Sequence, residues 1–184
     1  MNTDEALAIL REAELIHSAE AVRAAVARVA DEIRAELAGC YPVVLSVMSG
    51  AVPFAGHLLP LLDFPLVFDY LHVSRYGDGT SGSQLTWHVS PRVSLRDRHV
   101  LVIDDILDEG VTLGIVCEHL RQKGARRVHT AVFADKEIGR AKPLKADFVG
   151  LAVPNRFVFG FGMDIRGAWR NLPAIYAQKE DSPT

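Results

Sequence analysis

Five short apolar runs, each broken off by glycine, proline or a burst of charge, govern what this chain can fold into. They occupy residues 43–48 (VVLSVM), 65–73 (PLVFDYLHV), 98–104 (RHVLVID), 126–134 (RRVHTAVFA) and 146–153 (ADFVGLAV). All are of strand length and rich in β-branched or aromatic residues. Between them, residues 52–62 and 112–123 read as helical stretches. Strands alternating with helices give βαβ units, which assemble into a mainly parallel sheet covered by helices on both faces. An α/β fold is therefore expected, with ligands bound beyond the carboxyl ends of the strands. At 184 residues such a chain forms one domain, 1–184, and buries roughly 70% of its unfolded surface without a metal or disulfide staple.

The flanking segments are of a different kind. Residues 4–17 are expected to form a helix carrying Leu7, Ile9, Leu10, Leu15 and Ile16 on a loose apolar face. Ser18 then caps a second helix in which Val22, Val26, Val29, Ile33 and Leu37 recur three and four residues apart, with Gly39 as its stop. Residues 1–39 thus form a helical N-terminal segment. Residues 74–91 (SRYGDGTSGSQLTWHVSP) are too polar and too rich in glycine for a core element. They are read as a mobile loop, with a hairpin around residues 84–89. Residues 179–184 are read as a frayed tail.

Charge and cysteine usage narrow the class of function. Twenty basic against 23 acidic residues give a net charge of -3, without the basic excess of a nucleic-acid binder. No apolar stretch reaches the roughly 18 residues of a membrane span, and the acidic N-terminal sequence is unlike a secretory signal. No nucleic acid, no membrane and a cytoplasmic location are expected. Cys40 and Cys117 have neither redox-pair nor zinc spacing, and both are read as buried thiols in a reducing compartment.

The most informative window is HVLVIDDILDEGVTLGIV, residues 99–116. An apolar run from Val100 to Ile103 is followed within six residues by Asp104, Asp105, Asp108 and Glu109. An unpaired buried carboxylate costs several kcal/mol, so these acids belong at the rim where a strand leaves the sheet. Adjacent strand residues point to opposite faces, so Asp104 and Asp105 suit two hydroxyls better than one small ion. The following Glu109-Gly110-Val111-Thr112 leads into a helix, whose unpaired N–H groups can take a phosphate. Helix capping by Asp108, Glu109 and Thr112 is the plainer alternative. It accounts well for Glu109 but does not reach back to Asp104 and Asp105.

This run, VLVIDDILDEGVTL, resembles the phosphoribosyl-diphosphate (PRPP) signature of type I phosphoribosyltransferases: a hydrophobic strand, two acids, two apolar residues, an acid, a small residue, glycine and threonine. Further matches across residues 43–172 point to the hypoxanthine-guanine branch. The resemblance implies a Rossmann-like, mainly parallel sheet with a small hood and a flexible lid loop. It also implies Mg²⁺ as cofactor, PRPP and a 6-oxopurine as substrates, and a homodimer or homotetramer. Residues Phe54, Leu58, Leu59 and Leu61 could serve that interface or equally the core.

Carried over position by position, the resemblance gives each candidate a role. Asp104 and Asp105 would bind the ribose hydroxyls, and Asp108, Glu109, Gly110, Val111 and Thr112 would cradle the 5′-phosphate. Asp108 would be the general base at the purine, and its acidic neighbours would raise its proton affinity. Ser49 and Gly50, following Met48, would turn amides to the pyrophosphate, which Arg170 would grip. An ordinary strand-to-helix turn explains the Ser49 segment equally well. Lys136 would meet the purine 6-oxygen, since a lysine offers donors and no acceptor; pairing with Asp135 or Glu137 is the plainer alternative. Phe157 would stack on the base and the Val158 backbone would meet its polar edge. Asp164, with Asp104 and Asp105, would lie at the metal. Alternating sheet positions explain some of Phe157, Phe159 and Phe161, and Trp169 is read as core. Ser74, Arg75 and Tyr76 would open the lid, whose closure excludes water.

Three positions depart from the family pattern: Ser49 where a cation is frequent, Glu109 where threonine or serine is common, and Val111 where lysine occurs. The Glu109 side chain is expected to point away from the phosphate, so that Glu109→Ala leaves the PRPP KM within a few-fold. Two other activities share parts of the pattern. A PRPP-sensing regulator would keep the acidic loop and lose the base-binding groups, and a receiver-like phosphoacceptor would lack the Gly-Thr turn. A xanthine-preferring transferase stays open as well.

Overall fold

The computed structural model describes residues 1–75 and 85–179. In chain order the elements are α1 (Thr3–Glu12), β1 (Glu14–His17), α2 (Ala19–Leu37), β2 (Val43–Met48), α3 (Val52–Leu58), a 3-10 turn (Leu59–Leu61), β3 (Val67–Arg75), β4 (Leu85–Val89), β5 (His99–Leu107), α4 (Val111–Gln122), β6 (Arg127–Glu137), β7 (Phe148–Pro154), β8 (Val158–Phe159) and β9 (Ile175–Ala177). Six strands form the main sheet in the order β4-β3-β2-β5-β6-β7, and β1-β9-β8 form a small second sheet, the hood. Within the main sheet β2, β3, β5, β6 and β7 run parallel and only β4 is antiparallel. This is the expected mixed α/β architecture.

Alternation along the buried strands explains the two-sided core. Val44, Leu101, Ile103, Ala131 and Phe133 face α2, α3 and the hood, whereas Val43, Leu45, Val100, Val102 and Val132 face α4. A two-residue period sends neighbours to opposite faces, so strands without polar positions need cover on both. The chain passes from β2 outward to β3 and β4, then returns to the other side of β2 with β5. That reversal opens a crevice between the carboxyl ends of β2 and β5. Phe54, Phe133 and Phe161 fix the hood above it, with ring centroids 5.3 and 4.4 Å apart; such pairs contribute roughly 0.5–1.5 kcal/mol each beyond their buried area.

Several sequence expectations need correction. The first helix ends at Glu12, and residues 14–17 pair antiparallel with β9. Leu15 is exposed while Ile16 packs on the core. The burial of residues 14–17 shows no clean strand period; the deciding factor is the hood edge, where β9 supplies backbone hydrogen bonds that a continued helix would forgo. The helical segment 1–39 is therefore two helices around a strand. Ser18 does cap α2, its Oγ accepting from the Ala21 N–H at 3.2 Å. Phe54 and Leu58 are fully buried, which assigns them to the core of the chain rather than to an exposed patch; Leu61 is exposed. Cys117 is buried, but Cys40 lies half-exposed in the turn after α2, packed against the edge of the core. No helix is long and apolar enough to cross a membrane among the described residues.

Candidate active site

The acid pair stands inside the last turns of β5, not beyond them: the strand continues through Asp104, Asp105 and Ile106 to Leu107. Backbone pairing with β6 holds that stretch straight, Asp104 opposite Val132 and Leu107 opposite Asp135. Both acids are half-buried. Asp104 Oδ1 accepts from the Asp105 N–H at 3.0 Å, and Asp105 Oδ1 from the Ile106 N–H at 2.9 Å. Burial first, and then the neighbouring Asp105 charge, raise the proton affinity of Asp104 well above the usual carboxylate range. Burial raises Asp105 too, against the lowering influence of Asp104 and of the Arg170 guanidinium. Two carboxyls so placed do not readily ionise together, which makes the pair a ready acceptor for hydroxyls or positive charge.

Around Asp105 three segments distant in sequence converge. The β2–α3 turn, with a cis Met48–Ser49 peptide, brings Gly50 against the Asp105 carboxylate so closely that a Cβ at residue 50 would fall inside it. A Cβ on Gly162 of the hood would collide with the Gly50 carbonyl oxygen. Arg170 NH1 donates to the Gly162 carbonyl at 2.5 Å and lies 3.7 Å from Asp105 Oδ2, while NH2 pairs with Asp164 Oδ1. Asp164 Oδ2 accepts from the Gly167 N–H at 2.7 Å. Ser49 is exposed beside Gly50. The candidate pyrophosphate and metal residues Ser49, Gly50, Asp164 and Arg170 thus meet the acid pair at one crevice.

A second group forms where β5 runs into α4. Asp108 is drawn out of the acid pair, 51% exposed, with Oδ2 2.8 Å from Lys136 Nζ at the end of β6. Elevated proton affinity accordingly resides at Asp104 and Asp105, where burial is greatest. Lys136 pairs with neither Asp135 nor Glu137 in this arrangement, because Asp135 Oδ1 takes Lys142 Nζ at 2.5 Å. Gly110, at φ +79°, forms the N-cap of α4 without any side-chain cap, so the first-turn amides beside Val111 and Thr112 face an approaching anion. The left-handed φ is the reason for a glycine there. Glu109 turns to Arg140 NH2 at 2.6 Å and Arg75 NH1 at 3.6 Å.

In the hood, Phe157 is 53% exposed, and its backbone carbonyl accepts from the Gln178 N–H. The Val158 side chain is buried. Phe159 and Phe161 are buried core residues, and Trp169 is half-buried with Nε1 donating to the Ala6 carbonyl at 3.0 Å. Ser74, the next-to-last residue of β3, has Oγ 2.7 Å from His88 Nε2. Arg75 Nε donates to Thr112 Oγ1 at 2.7 Å. Tyr76 and the centre of the predicted loop lie outside the described residues; the flanks of that loop are the paired ends of β3 and β4.

Sequence reasoning passed over two cations at this rim. Lys142 Nζ donates to the Leu107 carbonyl at 2.6 Å and so steadies the chain just ahead of Asp108. Arg140 fixes Glu109. Both sit in GRAKPLK, a segment with no periodicity to signal direction. An open cavity of about 680 Å³, lined by Leu107, Lys136, Arg140 and Lys142 among others, adjoins this rim. It reaches none of Asp104, Asp105 and Asp108, and flanks the crevice rather than forming it.

Comparison with known proteins agrees with this geometry. Residues 12–166 match the phosphoribosyl transferase domain family. The hypoxanthine-guanine phosphoribosyltransferase of Bacillus subtilis is 34% identical over 163 residues, covering 88% of this chain and 91% of that protein. The bifunctional protein TilS/HprT of Listeria innocua is 39% identical over 145 residues, 78% of this chain, although the chain spans only 22% of that longer protein. A hypoxanthine phosphoribosyltransferase structure from Staphylococcus aureus superposes with a TM-score of 0.86 at 26% identity, covering 97% of this chain and 96% of that one. The match over nearly the whole length of the Bacillus enzyme, with the acid pair and the glycine turn where the signature requires them, makes this chain a member of the hypoxanthine-guanine phosphoribosyltransferase family.

Proposed function

We propose that the chain transfers the 5-phosphoribosyl group from PRPP to N9 of hypoxanthine or guanine, releasing pyrophosphate and forming IMP or GMP. One observation carries the reading: the paired carboxyls Asp104 and Asp105, the uncapped turn at Gly110 and the Asp108–Lys136 pair occupy one continuous strand-end rim. A diol, a phosphate ester and a polar base edge each find matching chemistry there.

The residues divide the work. Asp104 and Asp105 hold the ribose hydroxyls. The amides of the Gly110 turn and the Thr112 hydroxyl take the 5′-phosphate. On a 6-oxopurine, O6 and N7 are neighbours on one edge, and a lysine and a carboxylate 2.8 Å apart address both, Lys136 donating to O6 and Asp108 accepting from the N7 proton. As the N9 lone pair attacks the anomeric carbon with inversion and the C–O bond to pyrophosphate breaks, the N7 proton passes to Asp108. The Asp104–Asp105 carboxyls stabilise the positive charge that develops on the ribose more than they stabilise the neutral sugar. Arg170 and the Ser49–Gly50 turn receive the leaving pyrophosphate, Phe157 stacks on the base beside the Val158 backbone, and the segment opening at Ser74 and Arg75 excludes water.

The donor set suits Mg²⁺. Among the described residues no cage of three or more His, Cys, Asp or Glu side chains is present, and the Arg170 guanidinium lies 3.7 Å from Asp105 Oδ2. An ion held by one or two carboxylates and completed by water and phosphate oxygens fits such a site. Asp164 would hold it, with the Asp104–Asp105 pair on the ribose hydroxyls beside it, and bound Mg²⁺ would neutralise charge on the departing pyrophosphate.

Purified protein incubated with PRPP, Mg²⁺ and each of hypoxanthine, guanine, xanthine and adenine tests the proposal. Pyrophosphate and nucleotide should appear with hypoxanthine or guanine and not with adenine, and Asp108→Asn should lose most of that turnover. No pyrophosphate with any purine would reject the enzymatic reading, and full turnover in Asp108→Asn would reject the base assignment.

A further inference from the structure

A carboxylate is out of place in a phosphate-binding turn, and Glu109 stands in one. Its surroundings resolve the conflict. Glu109 Oε1 is 2.6 Å from Arg140 NH2 and Oε2 is 3.6 Å from Arg75 NH1, so one acid is matched by two guanidiniums and the turn keeps net positive charge. Arg75 also donates from Nε to Thr112 Oγ1 at 2.7 Å. Thr112 lies in the first turn of α4, beside amides that no side chain caps. An anion bonded to the Thr112 hydroxyl and those amides would therefore lie within one hydrogen bond of the Arg75 guanidinium. Arg140, by contrast, touches Glu109 and is the more exposed of the two arginines.

From this arrangement, and resting on the phosphoribosyl reading above, we propose that Arg75 is a ligand of the 5′-phosphate and that Glu109 is the positioning residue that holds it over the turn. A guanidinium has five donors in a rigid fork, so one edge can stay on Glu109 while another takes phosphate oxygens. Arg75 is the last residue of β3, which anchors it from a paired strand. It supplies the cation that Val111 does not. The arrangement also accounts for an acid at residue 109: Glu109 acts through the arginines and not on the ligand.

Titration calorimetry with two probes tests the assignment, IMP, which carries the 5′-phosphate, and Mg²⁺-pyrophosphate, which does not. Arg75→Gln should weaken IMP binding about tenfold or more, the scale of a lost charge-assisted hydrogen bond, and leave pyrophosphate binding within two-fold. Arg75→Lys should recover part of the loss. Glu109→Gln should weaken IMP binding a few-fold in the wild-type background, where Arg75 loses the group that holds it, yet improve it in the Arg75→Gln background, where only the acid's repulsion of the phosphate is removed. A structural role for either residue would not produce that coupling. Wild-type IMP affinity in Arg75→Gln, or a loss confined to pyrophosphate, overturns the assignment. Failure of the wild-type protein to bind IMP at all would instead refute the phosphoribosyl reading.

Discussion

The crevice is closed by a contact between two glycines, and replacing either one separates fold from function. At Gly162 the backbone adopts φ +107°, and a Cβ would stand inside 3.0 Å of the Gly50 carbonyl oxygen and 3.2 Å from Asp105 Cβ. Ordinary contact begins near 3.4 Å, and both neighbours belong to fixed chain, so Gly162→Ala must push the hood off the β2–α3 turn by on the order of 1 Å. Left-handed strain adds roughly 1–3 kcal/mol and the overlap roughly 1–3 more, giving a loss of about 2–6 kcal/mol. The Gly162 N–H bond to the Arg170 carbonyl, 2.9 Å, moves with it, and with that bond the placement of Arg170 and Asp164. Gly50→Ala differs in kind. Its Cβ would meet the Asp105 carboxylate, a side chain able to rotate, so stability should fall by less than about 2 kcal/mol while PRPP binding fails. Urea unfolding paired with steady-state kinetics reads both: Gly162→Ala loses stability and raises the PRPP KM, and Gly50→Ala raises the PRPP KM with most stability kept. If Gly162→Ala unfolds within about 0.5 kcal/mol of wild type and keeps its PRPP KM, the contact is not what holds the crevice.

Two other perturbations follow from the same reasoning. Burial alone would raise the pKa of Asp69, but hydrogen bonds from the N–H groups of Arg92, Tyr70 and Val93, with the Arg92 charge, bring it below the usual carboxylate value. The stability it contributes is present above the unfolded value of about 3.9 and is lost as pH falls through the depressed folded value. Asp69→Asn should therefore cost about 1–3 kcal/mol at pH 7, with the gap to wild type closing on acidification; thermal melts that show the gap widening toward low pH would reverse that reasoning. Lys136→Ala removes the partner of Asp108 and should raise the hypoxanthine KM roughly tenfold to a hundredfold with the PRPP KM changed far less. Equal rises in both would move Lys136 away from the base.

Local pattern carried the scaffold, and long-range contact carried what was missed. The strands β2, β5 and β6 announce themselves because their central residues are buried on both faces and are mostly apolar, and β3 and β7 by short β-branched and aromatic runs. Residues 14–17 read as helix because Leu15 and Ile16 extend the loose apolar face of residues 4–17, and only the pairing to the hood edge at β9 makes them a strand. The strand was expected to end at Asp104, with the acids at its rim, but pairing to β6 extends it through Asp105 to Leu107. Asp104, Asp105, Asp108 and Gly110 stood out as candidates because four acids and a glycine after a β-branched run demand an explanation. That Gly50 abuts Gly162, that Arg75 reaches Thr112 and that Lys142 holds the Leu107 carbonyl are contacts between distant segments. No spacing in the sequence encodes them.

A crystal structure of the protein with bound IMP tests the central claim most directly. The account predicts the Asp104 and Asp105 carboxylates within about 3 Å of the ribose 2′- and 3′-hydroxyls, and the phosphate bonded to the amides following Gly110. A nucleotide bound with its pentose turned away from both carboxylates, or with its phosphate elsewhere than the amino end of α4, would contradict it.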